Sequence, residues 1–531
     1  MNLFLFLTIA ALWLINSFID YNEFSYHWQL KEYRLDRIRD FISTKQGRAF
    51  LRSYLILGRI IIFIILIFLF IYQLIPTAIS VLILLTLEIL RNGYNFYKKR
   101  FRHPKFTAKA ILIILLSVGL ELLLWYFTNN VILMLMVLCL RSILSFLIVG
   151  LLNIPTLFIK HLHIILASKK MLHFPNVVVI GITGSYGKTT VKTFLSQILR
   201  VKYNAIATPK NINTEIGIAK FIKKTDFTDV EIFIVEMGAY RMNEIKLICE
   251  MVRPSIGILT AINEQHLSLF GSLENTQKAK SELLFSLPKS GLAIINNDNK
   301  YCRELIERLE CPIQTFGQQT EFSPTIKIKD LITINERLYF SAVVKEAGAI
   351  NEYKLESAVV GEHNAMNIAP CFLAARRLGI EDELVIEQIK KLYLPEKTLN
   401  MINYGESIII NDSYNSNPDG FASALKFLDN KPGEFKKIVI TRGMLELGGK
   451  SQELHQKIGK LIAVHADELV IINDNFEADL RAGVDEKIKV NLIYNPNELV
   501  EYVKKLKNIK AVILLENLVP DKLIDEINES K

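Results

Sequence analysis

Five apolar stretches crowd the first 152 residues of this 531-residue chain, over Asn2–Ser17, Leu55–Ile75, Thr77–Leu90, Ala110–Phe127 and Val131–Leu152. A bilayer is crossed by about 20 apolar residues in a helix. These stretches predict an α-helical membrane domain over residues 1–170, the first and third being the shortest. Phe4–Ile15 also has the length of a signal-peptide core, but no basic segment or small-residue cleavage site accompanies it, so a retained anchor is expected. The connections carry an orientation signal. Lys31, Arg34, Arg37, Arg39, Lys45, Arg48 and Arg52 follow the first stretch, and Arg91, Lys98, Lys99, Arg100, Arg102 and Lys105 follow the third. The other two connections have no Lys or Arg. The positive-inside rule then puts the N-terminus outside and everything after Leu152 in the cytoplasm, on a multi-pass inner-membrane protein.

Charge follows the same division. Residues 1–170 hold 19 Lys+Arg against 7 Asp+Glu, whereas the whole chain holds 63 against 54, so the excess belongs to the first third. A basic pI is therefore a topology signal and does not argue for a nucleic-acid partner. Two ionisable residues, Glu121 and Arg141, stand out within the fourth and fifth stretches. Such groups pair or face a cavity, which gives an ion pair between helices or a polar site for a lipid-linked substrate. Residues 153–170 read as an interfacial amphipathic linker, and His161 and His163 at i, i+2 do not share a helix face. The five cysteines, at 139, 249, 302, 311 and 371, have neither disulfide-framework nor zinc spacing and suit a reducing compartment.

At Asn176 the pattern changes to a short β-branched run, Asn176–Ile182, then Thr183-Gly184-Ser185-Tyr186-Gly187-Lys188-Thr189-Thr190, then the amphipathic run Val191–Leu199. Strand, glycine-rich loop and helix in that order cradle phosphate: backbone N–H groups and a helix N-terminus face the anion. Lys188 would reach the terminal phosphates and Thr189 would bind Mg²⁺. The first glycine of the general phosphate-loop pattern is replaced by Ile182.

The loop resembles the signature of the Mur ligases, the ATP-dependent amide-forming enzymes of peptidoglycan synthesis, and further segments continue the resemblance in order. They are Thr208–Gly217, Val235–Ala239, Asn263–Leu267 with Phe270–Ser272, Lys278–Glu282, Asn296–Asn299, Gly361–Asn367 and Asp412–Pro418. The Asn-rich segment and Arg442–Gly448, followed by His455, look most like the D-alanyl-D-alanine-adding member. The resemblance implies a P-loop central domain over 171–395. Residues 396–531 repeat a strand–helix alternation, with strands expected at Ser407–Asn411, Lys437–Thr441, Glu468–Ile472, Lys489–Tyr494 and Ala511–Leu515, which reads as a Rossmann-like α/β domain. The resemblance implies ATP held by Thr183, Gly184, Ser185, Gly187, Lys188, Thr189 and Thr190, with Asn296, Asn364 and Asp412 at the nucleotide. It also implies two magnesium sites built from Thr189, Glu236, His266 and Lys280, the lysine being carbamylated. Lys188, Glu236, His266 and Lys280 are thus the implied catalytic set. The reaction implied is acyl phosphate formation followed by attack of an amino acid or dipeptide amine.

Three departures bear on the carboxylate substrate. Membrane helices stand where the family's UDP-sugar domain lies, Lys397-Thr398 replaces a Gly-Arg pair, and Leu514–Asn517 replaces a Lys-Gly-Ser segment. The expected acceptor is therefore peptidoglycan-precursor-like or lipid-linked. A poly-γ-glutamate-type capsule synthetase and a nucleotide-driven transporter are the alternative readings.

Overall fold

The computed structural model describes residues 3–529 except 44, 53, 72–76, 98–102, 129–130, 265–266, 336, 347, 396–398, 414–415, 430–433, 485 and 487. His266, the basic residues Lys98, Lys99, Arg100 and Arg102, and Lys397-Thr398 lie outside the described residues. The chain divides into two compact units, Met1–His161 and Leu162–Lys531.

The first unit is helical: α1 (Leu3–Leu30), α2 (Leu35–Ser43), α3 (Lys45–Leu51), α4 (Arg59–Ile71), α5 (Thr77–Tyr97), α6 (Ala108–Thr128) and α7 (Val131–Leu172), the last running past the unit's end. Among the described residues, helices occupy all five apolar stretches, and α1 and α5 extend well beyond them, to Leu30 and Tyr97. Among the described residues two helices are long and apolar enough to cross a membrane, over Ala108–Phe127 and Met136–Leu172. The expected linker over 153–170 is not a separate element: α7 continues through Pro155.

The interior of this unit carries an ionic network beside its apolar clusters. Asp20, Arg59, Glu88, Glu121 and Arg141, one from each of α1, α4, α5, α6 and α7, are all at most 1% exposed. Arg141 Nε donates to Glu121 Oε1 at 2.8 Å and its Nη1 to Asp20 Oδ2 at 2.7 Å. Arg59 bridges Asp20 at 2.7 Å and Glu88 at 2.8 Å. Trp13, Ser17 and Tyr21, from one face of α1, donate to Glu121 at 2.8, 2.5 and 2.6 Å. The ion pair expected of Glu121 and Arg141 is present, within a larger network that hydropathy did not bring out. Asp20, Arg59 and Glu88 sit among residues that read as ordinary helix ends or apolar runs. The exterior carries large apolar side chains, with Ile61, Ile64, Phe68, Leu115, Leu147 and Leu151 all more than half exposed.

The second unit holds two sheets. The strands of the first are β1 (Val178–Thr183), β2 (Ala205–Ala207), β3 (Ile232–Glu236), β4 (Ile256–Leu259), β5 (Leu292–Asn296), β6 (Ile313–Gly317), β7 (Ile326–Ile334), β8 (Arg337–Glu346) and β9 (Ala349–Ser357). Their order is β2-β3-β1-β4-β5-β6-β7-β8-β9, parallel as far as β7 and antiparallel through β9. The central strands are buried on both faces, which is why they read as unbroken apolar runs. The second sheet contains β10 (Asn400–Tyr404), β11 (Ser407–Asp412), β12 (Lys436–Thr441), β13 (Glu468–Ile471), β14 (Lys489–Leu492) and β15 (Ala511–Glu516), ordered β10-β11-β15-β12-β13-β14. Only the β10–β11 pair is antiparallel.

Helix α8 (Lys188–Leu199) follows β1 and buries Val191, Phe194, Leu195 and Ile198, an i, i+3, i+4, i+7 stripe, against the first sheet. Each such side chain contributes about 1.5–3 kcal/mol of burial. Phosphate-loop geometry is thus fixed at both ends by core packing. Because β3 and β4 flank β1 on opposite sides, the chain reverses direction across the sheet at β1. Ligands bind outside the strand C-termini at such a switch point.

Candidate active site

The loop leaving β1 lies at that switch point. Gly184 has φ +146° and Gly187 φ +79°. A Cβ on Gly184 would lie 2.0 Å from Thr260 Oγ1, and one on Gly187 would lie 2.7 Å from Asn367 Oδ1. Both positions therefore require glycine, for space as well as for backbone conformation. Ile182, at the position of the missing first glycine, is a fully buried β1 residue paired in register with Glu236. The loop is pinned from β4: Ser185 N donates to Ala261 O at 2.7 Å, and Thr260 Oγ1 donates to Tyr186 O. Thr183 Oγ1 donates to Met237 O at 2.9 Å, tying β1 to the end of β3.

Lys188 opens α8, and its Nζ donates to Gly184 O at 2.6 Å and Ser185 O at 3.2 Å, inside the curve of the loop. Burial holds its ammonium below the usual lysine range. Thr190 is buried on the same helix start.

Glu236 ends β3 and is 1% exposed. Thr189 Oγ1 lies 3.1 and 3.0 Å from its two carboxylate oxygens. Adjacent oxygens in an octahedral shell of 2.0–2.1 Å are about 3 Å apart, so the pair fits Mg²⁺. Among the described residues no group of three or more His, Cys, Asp or Glu could hold a metal. Magnesium does not need one, since it is held by one or two carboxylates with phosphate oxygens and water. Asn213 Nδ2 and Lys192 Nζ also reach Glu236, at 3.0 and 2.8 Å.

Lys280, on the helix Leu273–Phe285, is 2% exposed, with its Nζ 6.0 Å from the Phe270 ring centroid. Burial, reinforced by the positive charge of Lys188, brings its pKa down to about 7. A lysine in that state carries a substantial neutral fraction, the form that reacts with CO₂.

A cavity of about 530 Å³ lies between the loop and the C-terminal domain, lined by Ser185–Thr190, Asn296, His363, Asn367 and Asp412 among others. Its volume is that of a small-molecule site. Asn296 lines it, but its amide is engaged locally: Nδ2 donates to Thr260 O at 2.8 Å, and Oδ1 accepts from Asp298 N at 3.0 Å. Asn364 is 1% exposed, with Nδ2 donating to Val360 O at 2.6 Å and Oδ1 accepting from Asn367 at 3.0 Å. On the helix His363–Arg377 that carries Asn364, the residues lining the cavity are His363, Met366 and Asn367 instead. Burial brings the His363 imidazole down to about 4.

Asp412 reaches the cavity from the end of β11, in register with Glu516 at the end of β15. Burial raises the Asp412 carboxyl to about 6 and raises Glu516 well above the carboxylate range. The two domains are joined here by Asn263 Nδ2 donating to Asp419 Oδ2 at 2.9 Å and by Lys450–Glu264 at 3.1 Å. His455 is fully buried; its Nε2 accepts from Met444 N at 2.9 Å, which fixes the Arg442–Gly448 loop at the β12 end.

The structure thus brings together Thr183–Thr190, Glu236 and Asp412 of the expected set, with Lys280 close enough to Lys188 for their charges to interact. Sequence reasoning passed over Lys192, Thr260 and His363. Lys192 had a usable signal, since it stands four residues after Lys188 on one helix face. Thr260 had none, because its role depends on β4 lying beside β1.

A doubly wound domain with a glycine-rich loop at its switch point, joined through a cleft to a second α/β domain, defines a class: two-domain α/β proteins built around a phosphate loop. Comparison with known proteins agrees. The Mur ligase middle domain matches residues 182–375, and the Mur ligase glutamate ligase domain matches residues 399–516, together more than half of the chain. The UDP-N-acetylmuramoyl-tripeptide–D-alanyl-D-alanine ligase of Bacillus subtilis is 28% identical over 342 residues, 64% of this chain and 72% of that protein. The enzyme of the same name from Escherichia coli is 26% identical over 293 residues, 53% of this chain and 61% of that one. The crystal structure of MurF ligase from Thermotoga maritima in complex with ADP superposes with a TM-score of 0.61 at 25% identity, covering 70% of this chain and 83% of that one. MurF from Acinetobacter baumannii gives a TM-score of 0.62 at 21% identity, covering 70% and 80%. The chain carries the middle and C-terminal domains of a Mur ligase and is an ATP-dependent, ADP-forming ligase.

Proposed function

We propose that this protein is a MurF-like ligase of peptidoglycan precursor synthesis, held at the cytoplasmic face of the inner membrane by its N-terminal helices. The observation that carries the chemistry is the Thr189–Glu236 pair beside Lys188 at the switch point of the sheet. A substrate carboxylate oxygen attacks the γ-phosphorus of ATP, and ADP leaves. The amine then attacks the acyl carbon, the acyl C–O bond breaks as phosphate leaves with its electron pair, and the amine nitrogen loses a proton. Both steps bring anions together. Lys188 places a cation at the phosphates, the loop N–H groups and the α8 N-terminus orient them, and Thr189 with Glu236 holds Mg²⁺. That metal supplies charge neutralisation at the transferring phosphoryl group. We assign Lys280, as its carbamate, and His266 to a second magnesium, and Asn296 and Asp412, which line the cavity, to the nucleotide; Asn364, turned away from the cavity, holds the helix start beside it. Burial of Lys280 and its pKa near 7 support the carbamate reading. The boundaries we adopt are 1–170, 171–395 and 396–531.

The membrane assignment is supported by the large apolar side chains exposed on the first unit, by the ion pairs enclosed within it, and by the two long apolar helices. The substrates named for the relatives are UDP-N-acetylmuramoyl-tripeptide and D-alanyl-D-alanine. The membrane location favours a membrane-proximal or lipid-linked form of the carboxylate. Detergent-purified protein with ATP and Mg²⁺ is expected to release ADP only when carboxylate and amine are both present, with the new amide identified by mass spectrometry. ADP release without an amide product would overturn this reading.

A further inference from the structure

Lys192 is a buried cation that the steps above do not use. It lies one turn beyond Lys188 on α8 and is 4% exposed. Its Nζ donates to Glu236 Oε2 at 2.8 Å and to the Lys210 carbonyl at 2.5 Å. Lys210 adopts φ +47°, a left-handed backbone unusual for a residue with a side chain, at the bend of the Thr208–Asn213 loop. The same loop supplies Asn213, whose amide donates to the other oxygen, Glu236 Oε1. The carboxylate is therefore gripped by an ammonium, an amide and the Thr189 hydroxyl, and Lys192 ties the metal carboxylate to the loop beside it.

A buried carboxylate is costly unless it is paired and hydrogen-bonded. Lys192 meets that requirement from within the protein. A divalent cation arriving at Glu236 brings two more positive charges beside an ammonium already seated there, and like charges at contact distances in a buried site repel strongly. A metal that arrives with nucleotide brings the phosphate charges too, and these offset both cations. We propose that Lys192 is a tethered counter-ion on Glu236 that excludes free divalent metal and yields the carboxylate to a metal–nucleotide complex, so that metal and nucleotide bind together. Lys192 is thus a positioning residue that sets the order of binding. The proposal rests on Glu236 being a magnesium ligand.

The test measures Mn²⁺ binding to the full-length protein by electron paramagnetic resonance, with and without ADP, for wild type, K192M, K192R and E236Q. Wild type is expected to bind Mn²⁺ weakly alone and at least a hundredfold more tightly with ADP. K192M is expected to bind Mn²⁺ without ADP at least tenfold more tightly than wild type, while K192R, which keeps the charge, matches wild type. Wild-type or weaker affinity in a folded K192M overturns the proposal. Unchanged Mn²⁺–ADP binding in E236Q instead overturns the magnesium assignment on which it rests. Should K192M not fold, the wild type decides: acetylation of Lys192, read by peptide mass spectrometry, should rise when Mn²⁺ is added to the ADP complex. No rise overturns the proposal.

Discussion

Replacing Arg141 with leucine tests the ionic core of the helical unit, and the structure sets the expected size of the effect. Among the described residues, five acidic and basic side chains are buried there to 1% exposure or less, two guanidinium groups and three carboxyls. Arg141 makes four hydrogen bonds, to both oxygens of Glu121, to Asp20 and to Ser17, at 2.5–3.0 Å. R141L leaves one cation against three carboxyls and strips Glu121 of its only ionic partner among the described residues. Breaking a buried pair from one side costs about 3–5 kcal/mol. E121Q moves the charge count the other way, to two cations against two carboxyls. Its cost comes from pointing an amide N–H toward Trp13, Ser17 or Tyr21, all of which donate there, about 1–3 kcal/mol. R141L should therefore be the more destabilising change. R141L/E121Q should cost less than the sum of the two, because the orphaned charge is gone. Intrinsic fluorescence is a selective assay, since the only three tryptophans, Trp13, Trp28 and Trp125, all lie in this unit. The measurement is a melt in detergent followed at tryptophan emission. Equal or inverted costs for the two single variants, or strict additivity in the double, would refute the reasoning. An R141L protein that folds, inserts and retains full ligase activity would also exclude a polar substrate site at this position.

Three further outcomes follow from the catalytic unit. K188A should lower ADP release about 10²–10³-fold, the usual cost of losing one charge-stabilising donor, with little change in melting temperature; unchanged turnover would remove Lys188 from the site. G184A should weaken ADP binding by calorimetry at least about tenfold and cost about 1–3 kcal/mol in stability, because its Cβ falls 2.0 Å from Thr260 Oγ1. Burial holds the His363 imidazole near 4 against an unfolded value of 6.5. Between those values the unfolded chain binds the extra proton, so stability present above pH 6.5 is lost as pH falls toward 4. His363 is partly exposed, so the loss between pH 7 and 5 is about 1 kcal/mol in wild type and should be absent from H363Q; parallel pH–stability curves would contradict this.

Much of the catalytic architecture was legible in the chain because its signals are local. A doubly buried strand has to be an apolar run, the loop after β1 has to place glycine where φ is positive and neighbouring atoms crowd the Cα, and the five strands expected after residue 396 all form. The edge strands were harder. β7–β9 alternate exposed and buried positions in part, and β10 is a short antiparallel addition, so neither produces a strong run. The asparagines show a different limit. Asn296 and Asn364 are the right residue type at the right motif, but which way an amide points is decided by the carbonyls around it, here Thr260 O and Val360 O.

By itself, then, the sequence determined the strand, glycine-rich loop and helix start at residues 178–199, since glycine spacing and a helix start need no distant partner. It also determined the segregation of an apolar, basic first third from an α/β remainder. What only the tertiary structure decided are the pairings between residues far apart in the chain. Lys192 meets Glu236 across 44 positions, Arg141 meets Asp20 across 121, and Asn263 meets Asp419 across 156. Nothing in a one-dimensional pattern records a charge's partner. Burial makes the partner obligatory, and the order of strands and helices chooses which residue it is.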